Sequence, residues 1–421
     1  MKVFKFGGAS IKDAEGFRNV LSILKKFSGQ EIVLVVSALG KTTNALEEVV
    51  HSYFERNGNA NQLLNEVREK HFDLLSKLIP DSSHKVYEEL NNTFIEVDWI
   101  LEDEPSESFD YIYDQIVSIG EMVSTKMLAA FLNESGMKTK WRDVRDFIRT
   151  DNTYREGKVD WKITEKKIQA QLVPASKNGL VLTQGFIGGT SENFSTTLGR
   201  EGSDYTAAVI AYCAGAESVT IWKDVPGVLN ADPRYFSDAK KIDHLSFKET
   251  IEMTFYGATV IHPKTIKPLQ NKNIPLHVKS FLNAEASGTV IDSDMNDDAR
   301  TPVLVLKPEQ ILISVSPKDF SFMAEEQLAK IFGMMAKHRV KFNMMQNAAI
   351  SFSFCADDAK ERVNPFLEEL SNEYKVLVNE GLELLTIRHY DEQTVQTQTQ
   401  RREILLEQKT RNTIQLVVRR F

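Results

Sequence analysis

Over the first 45 residues, apolar positions fall in an order that predicts strand, helix, strand. KVFKF (Lys2–Phe6) reads as a short strand ending at Gly7-Gly8. Ala14, Phe17, Val20, Leu21 and Leu24 recur at helical spacing, and EIVLVVSA (Glu31–Ala38) is an almost unbroken apolar strand. Such a run predicts a parallel sheet covered on both faces, and the order of elements predicts a βαβ unit in an α/β fold. From about Thr42 to Leu132 the pattern is mostly helical, with the acidic, proline-interrupted LEDEPSESFD (Leu101–Asp110) as a loop between helices. Alternation then resumes: a strand in GLVLTQGFIGG (Gly179–Gly189), a helix from Tyr205, a strand in SVTIWKDVPG (Ser218–Gly227), a helix near Phe247–Phe255 and a strand in IPLHVKSF (Ile274–Phe281).

SDMNDDARTP (Ser293–Pro302) is polar, acidic and poor in apolar residues, which predicts a linker. Beyond it the pattern restarts on a smaller scale. ILISVS (Ile311–Ser316), AISFSF (Ala349–Phe354) and Tyr374–Tyr390 read as strands, and Glu325–His338 and Ala359–Leu370 as helices. This βαββαβ order predicts a ferredoxin-like module. The tail adds a polar loop, Asp391–Glu403, and one more strand, NTIQLVVRR (Asn412–Arg420).

Bulk composition narrows the class. A chain of 421 residues predicts two or three domains, and 42% apolar with 26% charged residues is the balance of a soluble globular protein. A net charge of −8 provides no basic field for nucleic acid. Cys213 and Cys355 stand far apart in apolar surroundings, which predicts reduced core residues and neither a disulfide frame nor a metal site. MKVFKFGG lacks an apolar stretch of signal-peptide length, and the small apolar run Ala207–Ala216 is about half of the ~20 residues that cross a bilayer, so a cytoplasmic protein without membrane partners is expected.

Three glycine-rich turns follow three of the strands: Gly7-Gly8, Gly188-Gly189 and Gly199–Gly202. In a parallel sheet the C-terminal strand ends share one edge, where ligands bind. Glycines there let backbone N–H groups approach a phosphate, and a helix N-terminus favours negative charge. Neither GxxxxGK[ST] nor GxGxxG occurs, which excludes a P-loop and a dinucleotide fingerprint. Lys5, just before its strand ends, is either an edge lysine or a cation for phosphates. Arg200 and Asp204 are spaced for a local ion pair, and Asp204 also stands where a helix N-cap would.

KFGGAS (Lys5–Ser10), SIGEMVS (Ser118–Ser124), TQGFIGG (Thr183–Gly189), TTLGREGSDYTAA (Thr196–Ala208), KDVPGVLNADPR (Lys223–Arg234) and YGATVIHPKT (Tyr256–Thr265) resemble, in order and spacing, the aspartate kinases of the amino-acid-kinase superfamily. The resemblance covers nearly all of the first 290 residues, and the module after the linker is similar to that family's ACT regulatory region. It implies a three-layer α/β/α kinase domain at 1–294 and an ACT region at 303–421 with a complete first module and a reduced second one. The implied activity is transfer of the γ-phosphoryl group of Mg·ATP to the β-carboxylate of L-aspartate, the first step toward lysine, threonine and methionine. Implied roles follow. Lys5 and Asp204 are catalytic; Thr43, Glu121, Phe186, Arg200 and Ser203 bind aspartate; Gly7, Gly8, Ser10, Asp224, Arg234 and Lys264 meet the nucleotide. Mg2+ is held through ATP phosphates and not by a side-chain cluster. A homodimer and an amino-acid effector at the ACT region are also implied.

The chain departs from the family pattern at several positions. Ala9 stands for a threonine, Lys223 for a threonine before Asp224, Leu229 for a tyrosine, and Thr259 for a phosphate-binding lysine. Asn343 matches an aspartate that binds lysine in lysine-sensitive members, which leaves threonine or no effector open. These departures motivate a second reading, a catalytically weak amino-acid-sensing subunit with the kinase fold; a kinase with another acceptor, such as glutamate, is a third.

Overall fold

The computed structural model describes residues 1–177, 179–258, 261–319 and 321–420. The chain divides into two compact units, neither continuous in sequence. One comprises Met1–Val228, Asp243–Lys248 and Ile261–Met295; the other comprises 229–242, 249–260 and 296–421.

The first unit is built on an eight-stranded sheet. Its strands are β1 (Lys2–Phe6), β2 (Ile32–Val36), β3 (Thr139–Arg142), β4 (Leu180–Gln184), β7 (Ser218–Lys223), β8 (His244–Ser246), β9 (Leu276–Ser280) and β10 (Thr289–Asp292); β5 (Ile187–Gly189) and β6 (Ser195–Thr197) form a separate hairpin. The sheet order is β3-β4-β2-β1-β7-β9-β10-β8, parallel at every pair except β9–β10. All five residues of β2 are buried, as its unbroken apolar run requires. Phe4, Phe6, Leu34, Val36 and Leu182 join the core under α1 (Ala14–Lys25), α2 (Thr42–Glu55), α3 (Ala60–Leu78), α4 (Val86–Glu102), α5 (Phe109–Val117) and α6 (Ile119–Glu134). Phe6 stacks on Trp222 of the adjacent strand at 5.6 Å. The alternate residues Val3, Val33, Val35 and Val181 are buried on the other face.

Three further helices follow: α7 (Trp161–Lys167), α8 (Val173–Ser176) and α9 (Gly202–Ala214). Eleven of the thirteen residues of α9 are buried. Small side chains such as Ala207, Ala208 and Ala211 let α9 approach β1 and β7 closely. The stretch Phe109–Glu134 is apolar and long enough to cross a bilayer, yet 83% of its most apolar window is packed inside the protein. The chain continues through α10 (Phe247–Phe255) and α11 (Pro263–Asn271).

The second unit carries a six-stranded antiparallel sheet of β11 (Val303–Pro317), β12 (Phe342–Ala348), β13 (Ser351–Asp357), β14 (Tyr374–Arg388), β15 (Arg402–Lys409) and β16 (Thr413–Arg420), in the order β12-β13-β11-β14-β16-β15. With α12 (Glu325–Lys337) and α13 (Lys360–Glu373), the first four strands have the ferredoxin-like order, packed around Ile311, Ile313, Phe352, Phe354, Val363 and Phe366. A second core forms where Leu385, Ile387, Ile414 and Leu416 meet Ala231 and Phe236. The predicted polar loop Asp391–Glu403 is corrected here. Residues Glu392–Thr399 form a helix, α14, because Asp391 accepts the Thr394 N–H at 2.7 Å and caps it, and β15 follows directly.

This unit buries one strong ion pair. Arg388 donates to both Glu249 oxygens at 2.7 and 2.6 Å, and also to Glu252 and Thr413 at 3.0 Å. Burial pushes the Glu249 carboxyl up, but Arg388 and His389 outweigh it and hold the group at about 2. Its folded pKa lies below that of an unfolded glutamate, so its stabilisation is present above about pH 4.5 and is lost as the pH falls toward 2. Glu249→Ala leaves Arg388 buried without its main partner and is expected to cost about 3–5 kcal/mol, read from urea unfolding at pH 7. The deficit should shrink in the same measurement at pH 3.

Candidate active site

The C-terminal ends of β1, β2, β4 and β7 lie together, since Phe6 pairs with Val36 and Trp222, and Val36 with Gln184. A cleft of about 840 Å³ opens there in the first unit. Lys5 Nζ lies 2.6 Å from Asp204 Oδ1, with side chains only 11% and 5% exposed. Lys223, closing β7, brings a second ammonium to 4.0 Å from the other Asp204 oxygen. Asp204 is in the first turn of α9, where the helix dipole favours a carboxylate. The N-cap is Glu201 instead, at φ 52°, and the local ion pair between Arg200 and Asp204 does not form. That left-handed residue turns the chain between the two side chains, leaving Asp204 to Lys5.

Glu121, on α6, sits deeper in the same cleft. Its Oε1 accepts the Ala38 N–H at 3.2 Å, while Oε2 is buried with no hydrogen-bond partner among the described residues. Burial pushes the Glu121 carboxyl up to about 8, against the smaller opposing effects of that N–H and of Lys5. Thr43, Phe186, Arg200 and Ser203 complete this part of the lining. Gly185 must be glycine, because a Cβ there would come within 2.5 Å of the Ser203 Cβ. The Phe186 N–H donates to Thr206 at 3.0 Å, which fixes that loop against α9. Arg200 is exposed on the cleft wall and forms no ion pair among the described residues.

Part of the cleft lining rests on a network that the sequence did not announce. Asp114 on α5 is fully buried and accepts from the Thr197 N–H (2.8 Å), the Thr197 hydroxyl (2.7 Å) and the Arg155 N–H (2.9 Å). Burial raises it to about 6, with those donors pulling the other way. Arg155, at φ 65°, lays its guanidinium 4.5 Å from the centre of the Tyr113 ring, and Tyr113 donates to Glu47 at 2.5 Å. A cleft lined by a Lys5–Asp204–Lys223 cluster, a buried ionisable carboxyl and two guanidinium groups suits a small zwitterion beside a polyanion.

The amino acid kinase family model matches residues 1–280. The chain is 31% identical over 392 residues to lysine-sensitive aspartokinase 3 of Escherichia coli (strain K12), covering 91% of this chain and 86% of that one. The chain belongs to the amino acid kinase family, on its aspartokinase branch. Solved structures of E. coli aspartokinase III, one with lysine and aspartate and one with aspartate and ADP, superpose with TM-scores of 0.84 and 0.80 at 28% and 29% identity, each covering 100% of this chain and 96% of the other. The chain also spans 42% of the longer bifunctional aspartokinase/homoserine dehydrogenase 2 of Arabidopsis thaliana, at 29% identity.

Within this aspartokinase-branch chain, other expected site residues lie outside the cleft lining. Gly8 packs against backbone, where a Cβ would come within 2.6 Å of the Ala38 carbonyl oxygen; Gly7 precedes it, and Ser10 is buried with its hydroxyl unpaired among the described residues. Asp224 directly follows Lys223. Arg234 belongs to the second unit, bonded to Asp232 at 2.5 to 3.1 Å. Lys264 donates to the Leu198 carbonyl at 2.8 Å. His262 caps α11 by accepting the Lys264 N–H. Thr259 lies outside the described residues. Among the described residues, no three His, Cys, Asp or Glu side chains gather to hold a metal ion.

Asp114→Ala strands three donors at the cleft wall. It is expected to lower unfolding free energy by roughly 2–3 kcal/mol, measured by urea titration, whereas Asp114→Asn should recover part of that loss.

Proposed function

We propose that this protein transfers the γ-phosphoryl group of ATP to the β-carboxylate of L-aspartate, giving β-aspartyl phosphate and ADP. The observation that carries this reading is the pairing, in one cleft, of the Lys5–Asp204–Lys223 cluster with the buried Glu121 carboxyl that has one oxygen unpartnered among the described residues. An amino acid's ammonium beside Glu121 supplies the cation that this carboxyl lacks. Arg200 takes the α-carboxylate as a planar fork, and Thr43, Phe186 and Ser203 line the pocket around it.

The acceptor carboxylate is already ionised at pH 7, so its attack needs no general base. The barrier is electrostatic, since two anions must meet. Lys5 and Lys223 oppose that repulsion, Asp204 holds Lys5 in place, and the N-terminus of α9 adds its N–H groups. Gly7, Gly8, Ser10 and Asp224, at the ends of β1 and β7, are assigned to the nucleotide. Among the described residues no three carboxylates gather into a ligand cage, and Asp204 is the carboxylate beside Lys5 and Lys223, which fits an Mg2+ that would arrive on the triphosphate and would neutralise phosphate charge there. The second unit is assigned to an amino-acid effector. There Asn343 bonds Lys307, Gln310 and Asp357, each at 2.8 Å. The protein is assigned as a cytoplasmic homodimer.

The reading is tested by steady-state assay with Mg·ATP and L-aspartate, trapping the acyl phosphate with hydroxylamine, with L-glutamate in parallel. Turnover on aspartate is expected, and turnover on glutamate alone would sink the assignment. Arg200→Ala should raise the aspartate KM by roughly 10- to 100-fold, the worth of a charge-assisted contact, with the ATP KM nearly unchanged.

Glu121 must be ionised to hold an ammonium. Aspartate affinity is therefore expected to climb between about pH 6 and pH 8 and to level off above, and Glu121→Gln should flatten that profile at weak affinity. Because its folded pKa lies above that of an unfolded glutamate, Glu121 favours folding most at low pH, and this is lost as the pH rises toward 8. The Gln variant should accordingly raise the Tm of the ligand-free protein at pH 8 and above, read by calorimetry.

A further inference from the structure

Two contacts made by the start of α11 bracket the loop that carries Arg200. Lys264 Nζ donates to the Leu198 carbonyl at 2.8 Å, one residue before Gly199. The His262 backbone N–H donates to Glu201 Oε2 at 3.0 Å, one residue after Arg200. Both anchors are themselves fixed. His262 Nδ1 accepts the Lys264 N–H at 3.2 Å, and the Lys264 ammonium lies 4.6 Å from the centre of the Tyr205 ring in α9. Lys264 is partly buried, and burial holds its ammonium below the usual lysine range.

The bracketed loop is one that would not hold its shape alone. Gly199 has φ 73° and Glu201 φ 52°, and a left-handed backbone at a non-glycine residue persists only where its surroundings fix it. Leu198 is buried, whereas Arg200, between the two anchors, is exposed to the cleft.

We infer that Lys264, with His262 and Glu201, is a positioning residue that holds the Leu198–Ser203 loop in shape so that the Arg200 guanidinium stands ready at the cleft before the substrate arrives. The inference rests on the reading of Arg200 as the aspartate clamp. A preset clamp binds without first ordering its loop, so loosening the loop weakens the ligand that Arg200 holds and leaves the other substrate alone. A lysine that met ATP phosphates would behave in the opposite way.

The test compares Lys264→Met, which keeps much of the stem over Tyr205 and loses the donor, with Lys264→Arg, which restores one. Lys264→Met is expected to raise the aspartate KM by roughly 10- to 100-fold, with kcat within about threefold and the ATP KM within about twofold, and Lys264→Arg to recover most of the loss. Glu201→Ala, which removes the acceptor for His262, should give the same split. An ATP KM that rises as far as the aspartate KM would assign Lys264 to the phosphates and overturn the proposal, and so would unchanged kinetics.

Hydrogen exchange in the ligand-free protein gives a readout that does not depend on the substrate. The amides of Gly202 and Asp204, bonded to the Gly199 and Glu201 carbonyls at 3.0 and 3.1 Å, should exchange at least roughly tenfold faster in Lys264→Met than in the wild type. Equal exchange overturns the proposal whatever the substrate is. Faster exchange together with a wild type that does not turn over aspartate overturns the substrate reading instead.

Discussion

Everything at the sheet edge is arranged around one buried ion pair, Lys5 with Asp204. A carboxylate and an ammonium with little solvent access are tolerated only together, because either alone would bear a large desolvation cost. Satisfying the pair fixes the end of β1 against the first turn of α9. Lys223, at the end of the neighbouring strand, then sees the same carboxylate from the other side. One anion between two cations leaves the cluster a unit positive, which suits an edge that receives a triphosphate.

The rest of the cleft is held away from its own optimum. Glu121 is buried with half its carboxyl unbonded among the described residues, a poor arrangement for a folded protein and a good one for a group that awaits a cation. Arg155, Phe186 and Glu201 all line the cleft, and all are non-glycine residues with left-handed backbones, at φ 65°, 67° and 52°. Each is held by a specific bond: Arg155 by Asp114, Phe186 by Thr206, Glu201 by His262. Three of the nine non-glycine residues at positive φ among the described residues line this cleft.

The longer strands of the first sheet were legible because their signals are local, whereas β3, β8 and β10, of only three or four residues, were not read. An unbroken IVLVV run has few homes other than a covered parallel strand, and βαββαβ spacing in the last third of the chain points to a split sheet. Lys5, Glu121, Phe186, Arg200, Ser203 and Asp204 fall in the ordered motifs, Thr43 came only with the family resemblance, and all seven line one cleft. What escaped was pairing across distance. Asp114 lies in an apolar helix turn, DYIYDQIV, and nothing nearby in sequence indicates that its acceptors are spent on Thr197 and Arg155. The Arg200–Asp204 pair was expected from four-residue spacing, which holds along a helix; Arg200 precedes the helix, and Glu201 turns the chain between them. The tail Glu392–Thr399 resembled a loop because it is polar and its threonines and valine are weaker helix formers. Thr397 and Thr399 bond back to carbonyls one turn earlier, and Asp391 closes the first turn.

The division of the chain into six alternating segments also limits how such a protein can be rearranged. Residues 229–242 and 249–260 belong to the second unit although both kinase strands β8 and β9 come after the first of them. A gene truncated after residue 295 would still encode Ala231 and Phe236, now stripped of the Leu385, Ile387, Ile414 and Leu416 core that shelters them. It would also keep Glu249 without Arg388. The two units therefore cannot be exchanged between genes by a single cut and join.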